Sequence, residues 1–73
     1  MTNEIEEIVN LMLTSTESNP YTGKLTTKNN ILHAIALAEL CLGFATNGEE
    51  DEAMNIDVKD WVIVISELVN KLD

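Results

Sequence analysis

Apolar residues recur on one helical face near the start of the sequence. The face consists of Ile5, Ile8, Val9 and Met12. Because residues three, four and seven positions apart lie on one side of an α-helix, this spacing predicts a helix over residues 3–14. Asn3 and Glu6 suit a capping box at its start, in which each side chain satisfies a free backbone N–H. A loop is predicted over residues 15–25, because Asn19, Pro20 and Gly23 favour turns.

Residues 27–46 carry apolar side chains almost all the way round a second predicted helix. They form two stripes, centred on nearly opposite sides of that helix. One stripe is Ile31, Ile35, Ala38, Leu42 and Ala45, and the other is Leu37, Leu40 and Phe44. A helix that is apolar nearly all round is buried nearly all round. Since two flanking helices can cover only part of it in so short a chain, we expect a second copy to cover the stripe of Leu37, Leu40 and Phe44.

A third helix is predicted to begin after Asp57, which suits the N-cap position. Ile56 and Trp61 fall at the two positions of a hydrophobic staple, which fixes how a chain enters a helix. The predicted buried stripe is Val58, Trp61, Val62, Ile65, Leu68, Val69 and Leu72. Ile63 and Val64 lie off this stripe, where they are either exposed singly or widen the buried face. The β-branched residues of this segment would also suit a strand. The helical spacing continues through Leu72, however, and therefore favours a helix.

These elements predict an all-α fold in one domain over residues 1–73. The second and third helices are expected to form an antiparallel hairpin, with the short first helix packed across it. A chain this short buries only about 60% of its unfolded surface, so disulfides, metals or oligomerisation often supplement the core. The single cysteine, Cys41, excludes an intrachain disulfide. We therefore predict a homodimeric helical bundle with Leu37, Leu40 and Phe44 at its interface.

The chain carries 13 acidic residues against four lysines, which gives a net charge of −9. Direct binding to nucleic acid or to an anionic membrane is not expected, because both require clustered Lys and Arg. The longest nearly apolar stretch, residues 31–45, is shorter than the ~20 residues that span a bilayer. The first residues are acidic, unlike those of a secretory signal or a transit peptide. These features predict a cytoplasmic protein.

The sequence offers one histidine and one cysteine as soft metal ligands, His33 and Cys41. Their separation of eight residues corresponds to about 12 Å along a helix axis, so they cannot share a metal ion. Zinc requires three or four ligands within tetrahedral reach. The acidic residues of the 49–57 segment do not follow the register of a calcium loop. We therefore predict no metal site and no cofactor.

Catalytic residues are not expected either. Ser15, Ser18 and Ser66 lack the sequence context of an activated nucleophile. His33, the conventional base, falls in the middle of a predicted helix. The carboxylates are expected to be exposed, where no apolar setting raises their pKa for acid–base work. The sequence therefore predicts a protein that is not an enzyme.

The leading interpretation is a regulatory or adaptor module that binds another protein. The predicted partner surface is a run of four acids: Glu49, Glu50, Asp51 and Glu52. Such a run attracts a basic partner. One alternative is a decoy that presents carboxylates in place of nucleic-acid phosphates and inhibits a DNA- or RNA-binding enzyme, which requires acids spread over one continuous surface. Another alternative is a sensor of a small anionic ligand or nucleotide, held at the helix start Thr26–Asn30 beside Lys24 and Lys28.

Overall fold

The described part of the chain forms three helices and one short strand pair. The computed structural model describes residues 4–16, 18–19, 23–24 and 27–72. The helices are α1 (Glu4–Thr16), α2 (Thr27–Thr46) and α3 (Val58–Asn70). The antiparallel strands are β1 (Ser18–Asn19) and β2 (Gly23–Lys24), in which Ser18 pairs with Lys24 and Asn19 with Gly23. The predicted all-α class with three helices is confirmed, and α2 has the predicted bounds.

The segment between α1 and α2 differs from the predicted loop. The strand pair was not expected, because its residues show none of the apolar alternation that marks a half-buried strand. α1 also ends at Thr16, two residues beyond the predicted range of 3–14. The Thr16 hydroxyl lies 3.0 Å from the carbonyl oxygen of Met12, one turn earlier. Asn3 of the predicted capping box lies outside the described residues.

α3 begins where the sequence predicts it. Asp57 occupies the N-cap position with an extended backbone, φ −67° and ψ 155°. Its carbonyl oxygen accepts the first helical hydrogen bond from the Trp61 backbone N–H, at 3.0 Å. Its side chain makes no capping hydrogen bond. The start of α3 therefore depends on its backbone geometry and on packing around Trp61 more than on a side-chain cap.

The core lies where the helices meet, because α2 packs against both α1 and α3 and α1 also packs against α3. The buried hydrophobic residues come from all three helices and from the α2–α3 connection. They are Val9, Met12, Ile31, Ala34, Ala38, Cys41, Ala53, Trp61, Val64 and Leu68. Among the described residues, no buried side chain is polar or charged. Apolar burial is therefore the main force that holds this part of the chain together.

Small residues form the centre of the buried face of α2. Ala34 and Ala38 are fully buried and Cys41 nearly so. Ile31, at the start of this face, is buried as well. Larger apolar residues on both edges of the face are half-buried and pack against the core: Ile35, Leu37, Leu42 and Phe44. The buried face thus includes Ile31 and Ala38 of the first predicted stripe and is rotated from that stripe towards the second. Small side chains let neighbouring helices approach closely, and the larger side chains on either edge then cover the contact.

The predicted buried face of α3 was wrong in part. Val64, for which exposure and a widened buried face were both open, is fully buried with Trp61 and Leu68. Three residues predicted to be buried are largely exposed instead: Val58 (41%), Val62 (49%) and Val69 (46%). The indole of Trp61 is the largest fully buried side chain, and burying it fixes the rotation of α3 about its own axis. Residues three and seven positions later share its face, so the valines turn outward.

Trp61 also holds the connection between α2 and α3 against the core. Its indole Nε1–H donates a buried hydrogen bond to the carbonyl oxygen of Ala53, at 3.2 Å. Ala53 itself is fully buried. The chain reaches it through tight turns, in which the Glu49 N–H donates to the Phe44 carbonyl at 2.9 Å and the Asn55 N–H to the Glu50 carbonyl at 2.8 Å. The connection is therefore a folded part of the protein.

A polar clasp joins the end of α1 to the start of α2. The Thr16 hydroxyl donates to the side-chain oxygen of Asn30, at 2.8 Å. The Asn30 amide in turn donates to the carbonyl oxygen of Leu13, at 3.2 Å. The last four carbonyl groups of a helix have no partner within it. Asn30 therefore satisfies a free end of α1 from a neighbouring helix.

We expect Asn30→Asp to destabilise the protein, because it replaces the amide donor with a carboxylate that faces the Leu13 carbonyl oxygen. Leaving such a part-buried group unsatisfied costs about 1–3 kcal/mol. A thermal melt should show a midpoint lower by several degrees. The control is Asn10→Asp, which adds the same charge at an exposed position of α1. Equal midpoints for the two variants would contradict a stabilising role for the clasp.

A second prediction concerns Met54, whose φ of 58° places it in the left-handed region. A non-glycine residue there carries a strain of about 1–2 kcal/mol. Met54→Gly removes the strain, but it also raises the conformational entropy of the unfolded chain, which offsets part of the gain. The free energy of unfolding should therefore rise by about 0.5–1 kcal/mol. Met54→Ala removes the same side chain but keeps the Cβ atom, so it should give no increase. Chemical denaturation of both variants measures the difference, and an equal response would count against strain at this position.

Candidate interaction surfaces

His33 and Cys41 lie in different environments on α2. His33 is exposed, whereas Cys41 is buried in the core. Burial raises the pKa of the Cys41 thiol, because the core disfavours the charged thiolate. The thiol therefore stays protonated at neutral pH and is a poor nucleophile. Within the described residues, no three His, Cys, Asp or Glu side chains converge as metal ligands would.

The four predicted partner-binding acids lie on the surface of the α2–α3 connection. Glu49, Glu50, Asp51 and Glu52 are all exposed, and with Gly48 they line a shallow depression. The depression is open to solvent, so an approaching partner reaches the carboxylates directly. Their proposed role in binding stays a prediction.

Part of the helix start Thr26–Asn30 makes structural contacts with α1. Thr26 lies outside the described residues, and Thr27, Lys28 and Asn29 are exposed. The Asn30 side chain is committed to the clasp with α1, through the hydrogen bonds to Thr16 and Leu13. An anion at this helix start would therefore have to be held without Asn30. The two-helix clasp was missed in the sequence because nothing local marks a contact between residues 14 positions apart.

A groove of about 380 Å³ runs between α1 and α3. Its lining combines apolar residues with a polar rim: Ile5, Glu6, Val9, Asn10, Ile63, Glu67 and Lys71. Ligand sites usually place a few convergent polar groups in a concave apolar pocket. Here the charged residues Glu6, Glu67 and Lys71 are all exposed, and none of the described residues places a buried polar side chain in the groove. The groove has the size of a ligand site but not its preorganised polar groups.

The structure separates the three predicted dimer residues. Leu40 is 57% exposed, whereas Leu37 and Phe44 are half-buried and pack against the core. The premise that all three lie opposite the core was wrong for Leu37 and Phe44, because the buried face of α2 is centred on its alanines. Their role in a dimer stays a prediction from the sequence, and it competes with the contact between two copies that we infer for α3.

An exposed apolar row remains on the outer side of α2. Leu32 (43% exposed), Ala36 and Leu40 lie four residues apart and form what we call the α2 outer row. Gly43 is exposed beside it, and a Cβ atom added there would meet nothing within 4 Å. A glycine in an exposed helix is disfavoured relative to alanine by about 1 kcal/mol. The packing of this chain therefore gives no reason for glycine at position 43.

A second exposed apolar surface runs along α3 and was missed in the sequence. We call it the α3 valine stripe, and it consists of Val58, Val62, Ile65 and Val69. The three valines are 41–49% exposed and Ile65 is half-buried. The sequence pattern contained the signal, because these residues have a spacing of four, three and four. It was assigned to the core, since periodicity does not reveal which of two adjacent apolar stripes faces inward.

α2 (Thr27–Thr46) is also long and apolar enough, by length and composition alone, to cross a membrane. These two criteria do not distinguish a membrane-spanning helix from the core helix of a soluble protein. In this structure the alanine-centred face of α2 packs against α1 and α3.

In comparisons with known proteins, no family model matches the chain, and no curated protein or solved structure is significantly similar to it.

The buried Cys41 thiol generates a prediction about alkaline pH. Its pKa is raised by burial, so the unfolded chain ionises first as the pH rises. Stability should be unaffected below the ordinary pKa of a thiol and should fall as the pH rises through the raised pKa of the folded state. Chemical denaturation at several alkaline pH values measures this loss, and Cys41→Ala should have a shallower pH dependence. The native thiol should also react slowly with a disulfide reagent, and rapid labelling without denaturant would contradict its burial.

Proposed function

We propose that this chain is a non-catalytic regulatory or adaptor module that binds another protein through the α2 outer row. The observation that carries the proposal is the pair of leucines, Leu32 and Leu40, exposed on a helix whose other side is anchored in the core. A fixed helix presents such side chains without the entropy cost of ordering a loop. Recognition of one helix by another commonly uses apolar residues at this spacing.

The shape of the row favours a helical partner. Leu32 and Leu40 are about 12 Å apart along the helix axis, with the small side chain of Ala36 between them. A large apolar side chain of the partner fits into this gap and contacts both leucines. Gly43, with open space around its Cα atom, allows a second helix to approach closely at the same end.

The charge of the chain favours a basic partner. The α2 outer row leads at its C-terminal end into the connection that carries Glu49, Glu50, Asp51 and Glu52. The net charge of −9 adds a long-range attraction for cations. We therefore propose an amphipathic partner helix with an apolar face and with Lys or Arg near one end. The acids mainly accelerate its association, whereas the leucines set its lifetime.

We also propose that α2 and α3 form an antiparallel hairpin. The hydrogen bond between Trp61 and Ala53 supports this arrangement, because it holds the connection back against the core. The hairpin leaves the α2 outer row free, because the contacts with α1 and α3 use the opposite side of α2.

The proposal predicts that Leu32→Ser combined with Leu40→Ser abolishes capture of the partner from a lysate of the native host. Burying the exposed parts of the two leucines contributes about 2–3 kcal/mol, so affinity should fall at least about tenfold. The control is Leu11→Ser, which removes a leucine that is 48% exposed on α1. Melting curves should show that both variants stay folded. Partners retained by the double variant, or lost equally by the control, would contradict docking on this row.

The acids are tested on the same captured partner by changing Glu49, Glu50, Asp51 and Glu52 to the matching amides. The association rate should fall, and binding of the unchanged protein should weaken with added salt, since the Debye length is about 8 Å at physiological ionic strength. Salt-independent association that survives the four changes would restrict the acids to a role in solubility.

A further inference from the structure

We infer that the α3 valine stripe binds a second copy of this chain, in a weak antiparallel two-fold pair. This inference does not depend on the proposed partner, because it concerns a different helix surface. Val58, Val62, Ile65 and Val69 are spaced four, three and four residues apart, which is the spacing of a coiled-coil seam. Such spacing keeps all four side chains on one line along nearly the whole of α3.

The residue types on the stripe fit a buried seam better than an exposed helix surface. Val58, Val62 and Val69 are each more than two-fifths exposed within this chain. Branching at Cβ stiffens these side chains and lowers their helix propensity, so an exposed helix gains nothing from them. In contacts between two helices, β-branched residues pack well as knobs. Ile65 is half-buried and joins the stripe to the core, which fixes its direction.

The distribution of charge favours self-association on α3. Two copies with a charge of −9 repel each other, so their contact surface must keep carboxylates apart. Within α3, the carboxylates of Asp60 and Glu67 lie about 160–180° round the helix from the stripe. The exposed residues that flank the stripe are Lys59, Ser66 and Asn70. Within α3, the valine stripe is thus the side farthest from carboxylates.

The α2 outer row is less suited to a second copy. Glu39 lies only about 60° round the helix from the centre of that row at Ala36. A two-fold axis through the row would bring the two glutamates close together, whereas a basic partner would pair with them. The acidic residues therefore favour a basic partner on the α2 outer row and a second copy of the chain on the α3 valine stripe.

An antiparallel pair satisfies both the spacing and the charge. A two-fold axis between positions 63 and 64 places Val58 against Val69 and Val62 against Ile65. The acidic connections precede α3, so they lie at opposite ends of an antiparallel contact, about 20 Å apart for a 13-residue helix. A parallel pair would place both connections side by side. At physiological ionic strength, charges 20 Å apart are largely screened.

The size of the contact determines its strength. One face of a 13-residue helix supplies on the order of a few hundred Å² per copy, below the roughly 800 Å² of a standard interface. The pair should therefore dissociate at low concentration and form at tens to hundreds of micromolar.

Sedimentation equilibrium of the full chain from about 5 to 500 μM tests the inference. The unchanged protein should shift from monomer towards dimer, and added salt should strengthen the dimer, since it screens repulsion between like-charged copies. This salt effect is opposite to that expected for the basic partner. Val62→Glu should weaken the dimer at least tenfold, whereas Leu40→Glu and Leu11→Glu should leave it unchanged. A monomer at 500 μM in high salt, or a dimer lost only in Leu40→Glu, would overturn the inference.

Cross-linking tests the orientation in a Cys41→Ala background. An equimolar mixture of Val58→Cys and Val69→Cys chains should form the mixed disulfide under mild oxidation. Each variant by itself should cross-link at least tenfold more slowly. Efficient cross-linking of Val58→Cys chains with one another would indicate a parallel pair and overturn the antiparallel arrangement. Melting curves of every variant confirm that a loss of association is not a loss of fold.

Discussion

The burial of Trp61 is the interaction on which most of the described structure depends. Its indole is fully buried, and the hydrogen bond from Nε1 to the Ala53 carbonyl requires the α2–α3 connection to fold back onto the core. A buried indole N–H without a partner would cost free energy, so this one bond links the position of the connection to the packing of α3. It also fixes the rotation of α3, which turns Val64 inward and Val58, Val62 and Val69 outward.

The small side chains of α2 have a matching effect. Ala34 and Ala38 occupy the centre of the buried face of α2, so apart from Ile31 the larger apolar residues of α2 are divided between the edges of that face and the outer surface. Leu32 and Leu40 remain exposed as a result. Among the described residues, three of the ten that are buried are alanines, so the side chains at the centre of the core are small. The clasp between Thr16 and Asn30 adds polar contacts where the end of α1 meets the start of α2.

Charge gives the two exposed surfaces different roles in our proposals. Acids lie next to the α2 outer row and at its C-terminal end, which favours a basic partner there. The carboxylates of α3 lie on the side away from the valine stripe, which allows two copies of the same acidic chain to meet. Added salt therefore acts in opposite directions on the two contacts, so the two surfaces can be tested separately in one protein.

The sequence by itself determined the three helices, the bounds of α2 and the N-cap at Asp57, because periodicity and turn chemistry act over a few residues. It also determined the charge and the supply of reactive side chains. Only the tertiary structure decided which apolar residues of α2 and α3 face inward, whereas the apolar face of α1 is the one that its sequence predicts. Val62 and Val64 are equally apolar, yet Val62 is exposed and Val64 is buried. The difference arises because the buried indole of Trp61 orients α3 against the small residues of α2. The clasp of Asn30 on α1 was likewise settled by packing, since it joins residues that are distant in the sequence and adjacent only in the folded chain.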